Sequence, residues 1–376
     1  MNDKFIKIMR IITLWLFVLI AQLAAGQSRK IIHIPDIPGY QTLKCDFHLH
    51  TVFSDGTVWP TVRVEEAWSE GLDAIAISDH LEYRPHSKDV VADHNRSFEI
   101  AEPLAETLNI ILIRAAEITR SMPPGHFNAL FIKNANLIDR DNVFDAIKEA
   151  RDQGAFIFWN HPGWKVQQPD STVWFEEHTR LLNSDQLHGI EVYNNNEFYP
   201  EALQWSADKK LTVLCNSDMH GPTSMSYNLQ DGHRPLTLVF SKNKSAKGIR
   251  EALVNKRTVA WFENTLAGNA EYLERLFFES VKLKNVPVHL NNRETRVVEI
   301  VNQSDLDYEL ELIRPSIGFD APVSLVLKAH QITPLSLTGN SSEVAQMEEL
   351  LLYYKVKNLI TAPEKNLIIT FSLNNK

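Results

Sequence analysis

The residues able to do chemistry fall in short, spaced clusters. Asp46-Phe47-His48-Leu49-His50 sets two imidazoles two positions apart, with a carboxylate two positions earlier. In an extended chain residues i and i+2 face the same way, so His48 and His50 project together with Asp46 one step below. Asp55-Gly56 follows in the adjoining loop. Further along come Ser78-Asp79-His80, Glu117, Gly125-His126, Asn160-His161-Pro162 and Asn216-Ser217-Asp218-Met219-His220, where Asp218 and His220 again share a face. Imidazole and carboxylate suit zinc, manganese and iron. One His-x-His is ordinary. Nine candidates (His48, His50, Asp55, His80, Glu117, His126, His161, Asp218 and His220) at successive strand ends point to divalent metal, because unpaired His, Asp and Glu packed in a core would be costly. No Ser-His-Asp or Cys-His nucleophile arrangement stands out.

Such a set works only if a rigid frame brings it together. Leu43 to Leu49, Leu72 to Ser78, Ile110 to Ile113, Phe127 to Ile132, Ala155 to Trp159, His188 to Tyr193 and Leu211 to Cys215 read as strands. Val62 to Glu70, Glu99 to Leu108, Asn142 to Gln153 and Pro200 to Lys210 carry helical patterns, with Gly71 and Gly154 as stops. This alternation predicts parallel βαβ units. At least six units without an evident reversal favour a closed α/β barrel over an open sheet. Catalytic groups of parallel barrels come from the carboxyl ends of the strands, which is where the clusters lie. Arg257 to Phe262 adds a strand-like stretch near the end of the barrel. After about residue 280 the pattern changes to short strands, and Leu367, Ile369, Phe371 and Leu373 strictly alternate with polar positions. This predicts a small all-β sandwich. The expected organisation is a barrel over residues 27–280 and a sandwich over 281–376.

The N-terminus reads as an export signal. Lys4, Lys7 and Arg10 precede an apolar stretch from Ile11 to Ala25, and Ala24-Ala25-Gly26 offers small residues for cleavage before Gln27. The stretch is shorter than the roughly 20 residues a spanning helix needs. A signal over residues 1–26 and a periplasmic or secreted protein without stable membrane insertion are expected; an uncleaved anchor is the alternative. Cys45 and Cys215 could form one bridge in an oxidising compartment, or stay as buried thiols. The chain of 376 residues has a formal charge of −9, which gives no general attraction for polyphosphate backbones. Nucleic acid is not expected as a partner.

Asp46-Phe47-His48-Leu49-His50-Thr51, Ser54-Asp55-Gly56, Ser78-Asp79-His80, Glu117, His126, Asn160-His161-Pro162 and Ser217-Asp218-Met219-His220 together resemble the motifs of the polymerase-and-histidinol-phosphatase (PHP) family. The resemblance covers about residues 41 to 265. It implies a distorted (β/α)7 barrel holding two or three divalent metals (Zn, Mn or Fe) and hydrolysis of phosphoesters. His48, His50, Glu117 and Asp218 would hold the first metal. Glu117 would bridge to a second, completed by His126 and His161. Asp55, His80 and His220 would hold the third, with Asp55 standing where many relatives carry His. Asp46 would orient a ligating imidazole. Metals about 3.5 to 4 Å apart neutralise phosphoryl oxygens and acidify a shared water, so a bridging hydroxide would attack phosphorus in line, without a protein nucleophile or organic cofactor.

Arg84, His86, His94, Arg96 and Arg120 lie in or beside loops after the second and third strands. Arg84 and Arg120 are the candidates for phosphate contact, since a guanidinium fork matches phosphate; a solvated charge or local ion pair is the alternative. Trp164 and Lys165 could line the mouth, and Trp59 and Tyr193 are weighed against plain packing. The resulting expectation is a phosphoesterase acting on a small phosphorylated mono- or diester. A nuclease, an interaction protein retaining the barrel, and a metal hydrolase of the amidohydrolase kind are the alternatives. The last also opens on His-x-His but usually ends on a lone Asp, not Asp218-x-His220.

Overall fold

β1 (Gln41–Leu49) is the strand on which the rest is organised. In this computed structural model, which describes residues 28–376, it pairs in parallel with β2 (Ala74–Ile77) and antiparallel with β9 (Leu236–Ser241). The export signal expected over residues 1–26 lies outside the described residues. Among those described, no helix is long and apolar enough to cross a membrane.

From β1 the barrel wall runs through β2, β3 (Ile111–Ile118), β4 (Phe127–Leu130), β5 (Phe156–Trp159), β6 (Gly189–Asn194) and β8 (Thr212–Asn216). A short β7 (Glu197–Phe198) folds back on β6. Closure between β8 and β1 is a single parallel bridge, Leu49 to Met219. Beside it, the Thr237 hydroxyl donates to the Cys215 carbonyl (2.8 Å) and accepts from the Cys215 amide (2.9 Å). This is a distorted seven-stranded barrel. Both cysteines are buried and unbridged.

The helices start and stop for local reasons. α1 (Pro60–Ser69) opens on a proline whose ring presets the helical φ. α2 (Arg96–Leu108) ends at Asn109 in the left-handed conformation. α3 (Val143–Asp152) is capped by Asn142, whose side chain accepts from the Phe144 and Asp145 amides. α4 (Glu176–Asn183) and α5 (Pro200–Asp208) complete the outer layer on the β5 to β8 side.

The uniformly parallel wall expected from the alternation is corrected in two places. β4 is antiparallel to both β3 and β5. The link from Thr119 to His126 is too short for the dozen or more residues a parallel crossover requires, so the chain turns back. On the other side of β1, β9, β10 (Thr258–Phe262) and β11 (Thr265–Gly268) form an antiparallel meander, with α6 (Ala246–Val254) between β9 and β10.

β11 leads into α7 (Ala270–Ser280) and the C-terminal sandwich. One layer contains β12 (Val281–Lys284), β13 (Thr295–Asn302), β15 (Phe319–Asp320) and β17 (Ile332–Gly339). The other contains β14 (Tyr308–Leu312), β16 (Ser324–Leu327), β18 (Glu349–Ala362) and β19 (Lys365–Asn374). In β19 the alternating Leu367, Ile369, Phe371 and Leu373 are the buried face. The sandwich is not a bead on a string. β18 pairs in parallel with β11 at Leu266–Leu359 and Ala267–Ile360, so one sheet crosses from barrel to sandwich. A single apolar cluster joins Leu238, Phe240 and Trp261 of the barrel to Phe277 of α7 and Leu352, Tyr354 and Phe371 of the sandwich.

Candidate metal centre

All nine residues proposed as ligands converge at one end of the barrel. His48 and His50 leave the end of β1, and both imidazoles are fully buried. His48 Nε2 lies 3.1 Å from Glu117 Oε2 and 3.2 Å from Asp218 Oδ1; His50 Nε2 lies 3.2 and 3.1 Å from the same two oxygens. Glu117, near the end of β3, faces His80 Nδ1 at 3.1 Å with Oε2 and His126 Nδ1 at 2.8 Å with Oε1, while His161 Nε2 is 3.8 Å away. Asp55 Oδ1 is 3.2 Å from His220 Nε2 and 3.5 Å from His80 Nε2. Four donor groups result, each with its atoms within 4.8 Å: His48–His50–Glu117, His48–His161–Asp218, His80–Glu117–His126, and His50–Asp55–His80–His220.

The fit to metal rests on atoms that nothing else satisfies. His50 Nε2, Asp55 Oδ1 and Asp218 Oδ1 are buried yet have no hydrogen-bond partner, although other donor atoms stand about 3 Å away without hydrogen-bond geometry. An unsatisfied buried polar group costs about 1–3 kcal/mol. Cations among them would remove that cost. Burial alone would raise the carboxyls of Glu117 and Asp218, but His80 and His48 beside the first, and His48 and His50 beside the second, hold both well below the usual range. Asp55 is lowered likewise by His220 and His80, against its own burial. Burial depresses His126, which keeps its imidazole neutral and able to ligate. Burial acts downward on His48 too, but Asp218, Glu191 and Glu117 outweigh it and raise its pKa well above normal. The site is thus a buried concentration of negative charge lined with imidazoles.

Backbone geometry aims these groups. Asp218 (φ 53°) and His161 (φ 28°) are non-glycine residues in the left-handed region, a strained arrangement that persists where the surroundings over-determine it. Gly56 lets the Asp55 loop lie on β1, since a Cβ there would meet the His50 carbonyl carbon and the Thr51 nitrogen at 2.6 Å. Asp79 closes the same loop, accepting from the Thr51 amide (2.6 Å) and the Ser54 hydroxyl (2.9 Å). Buried Arg63 donates to the carbonyls of His50 (2.9 Å), Met219 (2.8 Å) and Gly221 (2.9 Å), locking the β1 end to the Asp218–His220 segment.

The role expected of Asp46 falls to another residue. The Asp46 carboxylate accepts from the Ser217 hydroxyl (2.5 Å) and the Arg234 guanidinium (3.2 Å), and makes no hydrogen bond to an imidazole ring. Glu191 orients His48, accepting from Nδ1 at 2.9 Å. It also accepts from Asn216 Nδ2 (2.9 Å), Asn194 Nδ2 (2.8 Å) and the His161 amide (2.7 Å), so its orientation is fully determined. A carboxylate inside the apolar run Gly189-Ile190-Glu191-Val192 was the available signal, because a buried strand carries a charge only at a cost. Arg63 and Arg234 left no such signal. The Glu70 and Asp46 partners of Arg234 are 164 and 188 residues away in sequence.

The centre opens into a cavity of about 570 Å³ walled by Tyr83, Thr119, Trp164, the segment Asn194 to Glu197, Tyr199 and the exposed edges of the cluster. Trp164 flanks His126 and His161. Arg84 and Arg120 are not in that wall, which corrects their assignment as phosphate contacts. The Arg84 guanidinium donates to the carbonyls of Phe53 and Val91; that of Arg120 pairs with Glu82 and the carbonyls of Thr119 and Arg140. Both guanidiniums hold loops together. His86, His94, Arg96 and Lys165 also lie outside the wall. Trp59 packs on Phe53 and Tyr193 stacks on Phe262.

A two-domain protein from Bacteroides vulgatus ATCC 8482, described as containing a predicted PHP-like metal-dependent phosphoesterase, superposes with a TM-score of 0.88 at 45% sequence identity, covering 93% of this chain and 100% of its own. A structure from Bifidobacterium adolescentis ATCC 15703, described as a "putative metal-dependent phosphoesterase", matches at 18% identity and TM-score 0.40, over 56% of this chain and 95% of that one. An amidohydrolase from Chromobacterium violaceum matches at 15% identity and TM-score 0.36, over 48% and 88% respectively. Residues 281–372 match a family model for an Ig-like domain, DUF5001. No curated protein matches the sequence.

Proposed function

The chain belongs to the family of two-domain PHP-like metal-dependent phosphoesterases, and from that premise we propose that it hydrolyses the phosphoester bond of a small mono- or diester. The observation that carries the reading is the set of buried, unsatisfied atoms His50 Nε2, Asp55 Oδ1 and Asp218 Oδ1 inside a nine-residue donor cluster at the floor of the cavity.

Divalent ions held there would neutralise phosphoryl oxygens and acidify a water into the nucleophile. His48, His50, Glu117 and Asp218 would hold one ion, Glu117 with His126 and His161 a second, and Asp55, His80 and His220 a third. The remaining roles belong to the chain itself. Glu191 keeps the His48 ring turned so that Nε2 faces the cluster. Arg63 keeps the His50 and Asp218 segments in register. Tyr83, Trp164 and Tyr199 at the rim present apolar faces to an organic leaving group and exclude water around it. Among the described residues the cavity wall contains neither Lys nor Arg, which agrees with a small substrate and counts against nucleic acid. Export to the periplasm or beyond, suggested by residues 4–26, makes scavenging of phosphorylated molecules the natural setting.

The test is elemental analysis of purified protein together with a panel of phosphomonoesters and phosphodiesters, before and after chelation. Hydrolysis should vanish with the metal and return with Zn, Mn or Fe. Phosphoester hydrolysis that survives complete stripping, or activity on amides and lactones alone, would overturn the reading.

A further inference from the structure

A second group of metal-binding side chains lies apart from the barrel mouth, where the segment leading into β1 crosses the sandwich. His33, Asp305 and His330 each offer one donor atom, and the three atoms lie within 4.8 Å of one another. His33 Nδ1 is 3.4 Å from Asp305 Oδ1, and His330 Nε2 is 2.5 Å from the same oxygen. The two rings stand edge-to-face, 5.1 Å between centroids. Asp305 is positioned by backbone: its Oδ2 accepts from the His33 amide and its own amide donates to the His33 carbonyl, both at 2.8 Å. That leaves Oδ1 turned toward the imidazoles. His330 is held in the left-handed region, φ 56°, which a non-glycine residue adopts only at a steric cost. Its turn is fixed by the Ala329 amide donating to Asp307 Oδ1 at 2.7 Å.

We propose that His33, Asp305 and His330 form a peripheral binding site for one borderline divalent metal, of which zinc is the type, tying the segment before β1 to the sandwich. Zinc takes nitrogen and oxygen ligands at about 2.0–2.2 Å in a tetrahedron, so its ligand atoms stand roughly 3.3 Å apart. The spacings of 2.5 and 3.4 Å already bracket that value. Both histidines are about half exposed, so small ring rotations reach the geometry without moving backbone. Two imidazoles select zinc-like ions over magnesium and calcium, which prefer oxygen. Three protein ligands leave one position for water, so the ion would exchange more readily than in a closed four-ligand site. Ile32, Ile34 and Ile37 of the same segment already pack into the cluster shared by barrel and sandwich. An ion at His33 would add a polar fastening beside that apolar one and stabilise the folded chain by mass action.

The test uses the full chain, stripped with a chelator and reloaded with zinc. Bound zinc is counted, and the thermal midpoint followed, for wild type, His33→Ala, His330→Ala and Asp305→Asn. Each variant should bind one equivalent fewer than wild type and lose part of the zinc-induced rise in midpoint. Its phosphoester hydrolysis should stay within twofold, which separates this site from the barrel centre. Asp305→Asn also touches a backbone contact, so the two histidine variants decide. If both match wild type in zinc equivalents and in midpoint shift, the cluster is a hydrogen-bonded contact only and the proposal fails.

Discussion

The floor of the barrel mouth and the sandwich core are both buried and bury opposite things. At the mouth, His48, His50 and Glu117 have no exposed surface, and His50 Nε2 and Asp218 Oδ1 have no hydrogen-bond partner. In the sandwich the interior is Leu, Ile, Val, Tyr and Phe, and a buried polar residue such as Asn302 is tied to the carbonyls of Leu306 and Leu327. Burial in itself therefore does not mark function. Nor does a lone unpartnered atom, since the Tyr308 hydroxyl of the sandwich is also buried without a partner; what marks the mouth is the convergence of ionisable groups, which a protein under selection for stability alone would replace with apolar ones. The two regions should respond to mutation in opposite currencies, activity at one and stability at the other.

The sharpest test of that contrast is Asp218→Ala or His50→Ala. Either should cut kcat/KM for phosphoesters by about 10³-fold or more, since several kcal/mol of transition-state stabilisation rest on the held charge. Metal content should fall while the circular dichroism spectrum stays that of wild type; full activity in either variant would break the comparison. Phe371→Ala is the converse. Its ring packs against Phe277 and Tyr354, and its loss should lower the unfolding free energy by about 3–5 kcal/mol, with kcat/KM per folded molecule unchanged. A loss of specific activity in that variant would show that the sandwich contributes to catalysis. Deleting residues 281–376 could not show this cleanly, because it would strip the cover from Leu276 and Phe277.

Acid should find the barrel first. Burial against Trp159 pulls His178 down to about 4, against an ordinary 6.5. Its Nε2–H donates to the Pro124 carbonyl and its Nδ1 accepts from the Phe175 amide, so the neutral ring uses both nitrogens. The unfolded chain takes up a proton below about pH 6.5 and the folded one only below about pH 4. Protons bound by the unfolded state exceed those bound by the native state in that window, so stability is lost as pH falls through it, by on the order of 2 kcal/mol between pH 7 and 4.5. His178→Gln should flatten that part of the denaturation profile. The sandwich, whose His289 and His330 are exposed, has no buried imidazole to produce such a loss. A milder effect than at the ligands is expected of Glu191→Gln, which keeps the shape but removes the charge behind His48; metal affinity and kcat/KM should fall about 10- to 100-fold. An unchanged variant would mean that packing alone orients the ring.

Much of this molecule was legible before any coordinates. The His and carboxylate clusters stand at strand ends, so their positions follow from a periodicity that local sequence carries. Alternation of period two marked β19, and the strands of the barrel announced themselves as short apolar runs. What escaped was relational. The antiparallel turn of β4 depended on the length of a loop and not on the strand's own residues. The family resemblance implies that Asp46 orients a ligating imidazole. In fact Arg234 and Ser217, from distant parts of the chain, claim it. Residue type and loop position make Arg84 and Arg120 candidates for phosphate contact, but their guanidiniums bond loop carbonyls and, for Arg120, Glu82.

The sequence by itself determined which residues could hold metal, the barrel and sandwich classes of its two regions, and the alternation that faces one side of each strand inward, because these depend on residue type and on spacing along a regular element. Only the tertiary structure decided that the nine donors meet, that Glu191 and not Asp46 turns His48, that one apolar core binds barrel to sandwich, and that His33 comes to lie beside Asp305 and His330. The physical reason is range: side-chain periodicity acts over a few residues, whereas a hydrogen bond or a coordination shell joins whatever the closed fold brings within about 3 Å.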